Sequence, residues 1–78
     1  MSQRILIVED EVDLANLIEI TLMNAGFSVT KANDGKTGLA LALSGSFDLI
    51  MLDIMLPEVD GLEICRQVRV TDPSTPIV

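Results

Sequence analysis

Four carboxylates stand where chemistry is possible. Glu9, Asp10 and Glu11 directly follow the apolar run Ile5-Leu6-Ile7-Val8, and Asp53 directly follows Phe47-Asp48-Leu49-Ile50-Met51-Leu52. Short apolar runs of this kind read as strands of a parallel sheet covered on both faces. Such strands cannot carry carboxylates inward, so the acids begin the loops at the strands' C-terminal ends. If the two strands are adjacent and parallel, Glu9, Asp10 and Asp53 converge in the crevice where open α/β sheets bind ligands. Converging acids repel one another, which raises their pKa values or recruits a cation, and neither loop contains Lys, Arg or His. A Mg2+ ion answers that repulsion, with Asp10 and Asp53 as direct ligands, Glu9 acting through water and a carbonyl from the loop after Asp53 completing the set. A plainer reading competes. Acids after a strand are often solvated loop residues, and Asp10 or Glu11 is placed to favour the first turn of a following helix. The pairing with Asp53 weighs against it.

The elements that would hold these acids follow from the patterning. Val12 to Ala25 reads as a helix, with Leu14, Ile18, Leu22 and Ala25 as an apolar stripe that Leu17 and Met23 widen. Asp13 falls in its first turn, and Gly26 is a natural residue to end it. Phe27 to Thr30 resumes strand character with the partial alternation of an edge strand. Asn33 or Asp34 is placed to cap a second helix over Lys36 to Ser44, with Leu39, Ala42 and Leu43 inward. After the strand Phe47 to Leu52 comes the loop Ile54 to Gly61. A third helix over Leu62 to Val70 follows, with Ile64, Cys65 and Val68 inward, then a turn region and the start of a fourth strand at Ile77-Val78. The order β-α-β-α-β-α-β calls for right-handed crossovers in a parallel sheet. With no helix after Ile77-Val78, the 78 residues read as an incomplete α/β domain of three full strands and the start of a fourth.

Composition removes several functions. Twelve acidic and five basic residues give a net charge of −7, and Phe27 and Phe47 are the whole aromatic complement. A phosphate-neutralising face needs clustered Lys and Arg, so neither nucleic acid nor an anionic membrane is an expected partner. Without histidine there is no His-ligated metal and no Ser-His-Asp chemistry. Cys65 is single, so no internal disulfide forms, and a cytosolic (cytoplasmic) location fits. It reads as a small core hydrophobe, as Met51 reads as core and not as a metal ligand. Gly35 and Gly38 lack the Gly-Lys-Ser/Thr ending of a phosphate loop. Nothing approaches the ~20 apolar residues of a membrane span.

The stretch Ile5 to Glu11, together with Asp48-Leu49-Ile50-Met51-Leu52-Asp53-Ile54-Met55-Leu56-Pro57-Glu58-Val59-Asp60-Gly61, resembles the receiver domain of bacterial two-component response regulators. The resemblance runs through all 78 residues but spans only about the first two thirds of such a domain, so residues 1–78 are expected to be a partial receiver domain. It implies a flavodoxin-like (CheY-like), doubly wound parallel sheet with strand order 2-1-3-4-5. It implies a phosphoacceptor module in a phosphorelay, not an enzyme. Asp53 would take a phosphoryl group from the phosphohistidine of a sensor histidine kinase. Asp10 would bind Mg2+ directly, Glu9 through water and Met55 through its backbone carbonyl, with Pro57 and Gly61 shaping the rim. The Ser/Thr after the fourth strand and the Lys after the fifth fall outside these residues. The expectation is therefore that 1–78 alone binds Mg2+ at best and does not signal. The parent is expected to carry a C-terminal DNA-binding output domain for transcription regulation. Three alternatives stand beside this reading. A phosphotransfer enzyme of the aspartyl-phosphate kind commonly has a second acid two residues after its nucleophile, where this chain has Met55. A flavin carrier would want hydroxyls and backbone donors where the first loop is acidic. A bare scaffold, self-associating through the incomplete sheet edge, needs no site at all.

Overall fold

The central strand is β1, Arg4–Val8, in which every residue from Ile5 to Val8 is buried. In the computed structural model, which describes residues 3–45, 47–53, 61–71 and 74–78, β1 pairs in parallel with β2 (Ser28–Ala32) on one side and β3 (Leu49–Leu52) on the other. The order is β2-β1-β3, the open doubly wound sheet of flavodoxin-like folds. Beyond β3 the chain returns at Ile77, which bridges Ile50 in parallel. The Ile50 amide donates to the Pro76 carbonyl at 2.9 Å and the Leu52 amide to the Val78 carbonyl at 3.0 Å, so the expected fourth strand begins beside β3.

The helices are α1 (Val12–Asn24), α2 (Gly35–Leu43) and α3 (Gly61–Thr71). Right-handed crossovers sort them between the faces. α1 connects strands running one way across the sheet, while α2 and α3 connect strands running the other way, so α2 and α3 share one face and α1 takes the opposite one. On the shared face Leu6, Val8, Ala32, Ile50, Ala42, Ile64 and Val68 form the main core. Asp34 caps α2, its carboxylate accepting from the Thr37 amide at 2.7 Å and from the Thr37 hydroxyl at 3.0 Å; those donors hold its carboxyl below the usual range. At the end of α1, Gly26 adopts φ +97°, a left-handed conformation that favours glycine.

Two helix faces differ from the sequence expectation. On α1 the fully buried residue is Ala15, while Leu14, Leu17 and Met23 are exposed and Ile18 and Leu22 half-buried. Spacing identifies an apolar stripe, but the small side chain of Ala15 lets the helix approach the sheet, and that approach sets its rotation. Lys31 of β2 fixes the same rotation by bonding Asn16 and pairing with Glu19 at 3.2 Å. On α2 the buried residues are Gly35, Gly38 and Ala42, with Leu43 turned outward, because a helix lying close to β1 presents its smallest side chains. On α3, Ile64 and Val68 are buried as expected, and Cys65 is half-buried.

Candidate metal centre

Backbone pairing at the C-terminal ends of β1 and β3 builds the site. Val8 stands in register with Leu52, so the next residues, Glu9 and Asp53, face each other across the sheet's rim. The Asp53 amide donates to the Val8 carbonyl at 3.0 Å, and the Glu9 amide donates to Ala32 of β2 at 3.0 Å. Both acids thus leave the sheet from backbone that is still hydrogen-bonded to it.

One carboxylate oxygen from each of Glu9, Asp10 and Asp53 lies within 4.8 Å of the others. Opposite ligands on an octahedral Mg2+ are about 4.2 Å apart, twice the ligand distance. The cluster is therefore within a small side-chain adjustment, or one bridging water, of holding a single hard cation. The donor set is all oxygen, which suits Mg2+ and not a soft metal. Asp10 is exposed and Glu9 and Asp53 half-buried, so water has access to complete the shell. Burial pushes the Glu9 carboxyl above its usual range, the neighbouring Asp53 and Asp10 carboxyls add to the rise, and the Glu11 amide, donating to Glu9 Oε2 at 3.1 Å, opposes it. A cation between the carboxylates would reverse that rise.

Glu9, Asp10 and Asp53 are brought together as the sequence predicts. Met55 and Pro57 lie outside the described residues, and Gly61 opens α3, where it is buried. Two residues next to the site escaped sequence reasoning. Asn33 donates from Nδ2 to the Glu9 carbonyl at 3.3 Å. Gly38 of α2 lies so close to β1 that a Cβ there would stand 2.6 Å from Val8 Cγ1. The available signal was a glycine inside a helical pattern, which is costly unless something must approach closely.

The family model for the response regulator receiver domain matches residues 5–78. The chain belongs to that family. The response regulator ArlR of Staphylococcus saprophyticus is 53% identical over 75 residues, covering 96% of this chain and 34% of the relative. The chain thus spans about a third of the length of the curated relatives it matches. Among solved structures, the chemotaxis protein CheY4 of Vibrio cholerae superposes with a TM-score of 0.91 at 33% identity, covering 99% of this chain and 66% of that one. TrrA of Thermotoga maritima, in complex with Mg2+-BeF, gives 0.90 at 33% identity over 96% of this chain and 65% of that one. TrrA in complex with the histidine kinase ThkA gives 0.88 at 33% identity, with the same coverage of both chains. A group of three acidic residues, Glu9, Asp10 and Asp53, is present in this chain. Among the described residues no helix is long and apolar enough to cross a membrane.

Proposed function

We propose that the chain is the phosphoacceptor part of a phosphorelay protein, with Asp53 accepting a phosphoryl group from the phosphohistidine of a sensor histidine kinase. The observation that carries this is the convergence of Glu9, Asp10 and Asp53 at one rim of the sheet. In the transfer, a carboxylate oxygen of Asp53 forms a bond to phosphorus while the phosphorus–nitrogen bond of phosphohistidine breaks. The electron pair of the broken bond goes to the departing imidazole nitrogen, which takes its proton from solvent, leaving an acyl phosphate on Asp53. Asp53 suits this role because its backbone is pinned to β1 while its side chain stands at the rim. Bound Mg2+ supplies neutralisation of the charge on the transferring oxygens. Asp10 and Asp53 would hold it directly, Glu9 through water and Met55 through its carbonyl.

Aspartate acceptors of the phosphotransfer-enzyme kind remain the less favoured reading, since position 55 is Met and not an acid. For the whole protein we propose a cytoplasmic regulator with a DNA-binding output domain. For residues 1–78 alone we propose ion binding without switching, because the hydroxyl and the lysine that complete a receiver site are not among them. Titrating Mg2+ into the 78-residue chain while following amide resonances is the test. The parent should show saturable shifts around Glu9 and Asp53, and Asp10→Ala should weaken binding at least about tenfold, as expected for losing a charged ligand. Equal affinity in parent and variant would overturn the reading.

A further inference from the structure

Resting on the metal-site reading above, we propose that Asn33 is a positioning residue for the acidic loop. It touches none of the three cluster carboxylates through a described hydrogen bond; it acts through the backbone of Glu9. Two successive residues at the end of β2 hold both backbone groups of Glu9. The Ala32 carbonyl accepts from its N–H at 3.0 Å, and Asn33 Nδ2 donates to its C=O at 3.3 Å. The Glu11 amide holds its side chain through Oε2 at 3.1 Å.

The second of these contacts is the one that matters for the ion. The Glu9 carbonyl belongs to the peptide unit that leads into Asp10. Fixing it sets both the direction in which the Glu9 side chain leaves the backbone and the point from which Asp10 starts. The ladder of β1 ends at Glu9, so beyond that residue the sheet no longer constrains the chain. α1 begins only at Val12, and its N-cap residue, Glu11, makes no side-chain cap bond. Asn33 therefore restrains the start of the short stretch between the end of β1 and the start of α1, which is otherwise tied by the Glu11 amide to Glu9 Oε2 and by the Glu11 carbonyl to the Ala15 amide. Prepositioned ligands bind an ion without first ordering themselves, whereas a looser loop binds less tightly with the same donors. The bond is on the surface and joins a loop carboxamide to a loop carbonyl, so its loss leaves the core untouched.

The test compares Asn33→Ala, Asn33→Gln and the parent 78-residue chain. Mg2+ affinity is read from amide shifts, and metal-free stability from the thermal midpoint by circular dichroism. The expected result is about a three- to tenfold loss of Mg2+ affinity in Asn33→Ala, the equivalent of one hydrogen bond, with an unchanged metal-free midpoint. Asn33→Gln, which keeps the donor, should fall between the two. Parent-like Mg2+ affinity in Asn33→Ala would overturn the proposal and leave the metal site standing. A lowered metal-free midpoint with the lowered affinity would also overturn it, by making the role structural. A parent that binds no Mg2+ would remove the metal site itself and this proposal with it.

Discussion

Glu9 is the residue at which the site's cost to folding is visible. Its carboxyl is pushed up by burial first and then by its acidic neighbours. An acid whose folded pKa lies above its unfolded value contributes stability below the unfolded value, about 4.3, and that contribution is lost as pH rises through the folded pKa. In metal-free buffer, Glu9→Gln should therefore melt higher than the parent at pH 7, with the gap closing below about pH 4. Mg2+ should reverse the order. At a hundred times its Kd a cation stabilises the state that binds it by about 2.7 kcal/mol, and the variant, lacking one anionic group, should gain less. Thermal melts in chelator and in Mg2+ at several pH values check this, and a variant less stable than the parent at pH 7 without metal would contradict it.

At the scale of elements, α2 positions β1 as much as β1 positions α2. Gly38 is buried against Val8, the residue just before Glu9, and a Cβ at position 38 would lie 2.6 Å and 2.7 Å from the two Val8 γ-carbons. Valine is stiff at χ1, so the contact can be relieved only by moving the helix or the end of the strand. Overpacking of this kind costs roughly 1–3 kcal/mol, and alanine's better helix propensity returns about 1 kcal/mol. Gly38→Ala should be neutral to about 2 kcal/mol destabilising, and Gly38→Val distinctly worse, since valine lacks the compensating propensity. Chemical denaturation gives the numbers. The shift should also reach Glu9 and Asp10 as changed amide resonances, whereas an exposed position of the same helix, such as Lys36→Ala, should leave them alone.

For the whole molecule, the radius of gyration of 11.6 Å agrees with the ~11.5 Å that scaling gives for a compact unit of this length. That unit leaves apolar surface open: Leu17 and Ile20 on α1, Leu62 and Val70 on α3 and Val78 beside β3 are all more than half exposed. A cavity of about 180 Å3 lined by Leu52, Gly61, Leu62, Cys65, Ile77 and Val78 lies on the α3 side. Large exposed apolar patches drive association, and a charge of −7 opposes it. Sedimentation of the 78-residue chain should show self-association that strengthens as salt screens the charge; a compact monomer at every salt concentration would contradict it. The order of strands and helices, the end of α1 at Gly26 and the convergence of Glu9, Asp10 and Asp53 were legible in the sequence, because each rests on local periodicity, turn chemistry or the exclusion of charge from a buried strand. The rotation of α1 onto Ala15 and the seating of α2 on Gly38 were not. Nor was the grip of Asn33 on Glu9. Each of these depends on how closely two elements separated in the chain approach, and that distance is set by packing across the sheet, which no local pattern of residues encodes.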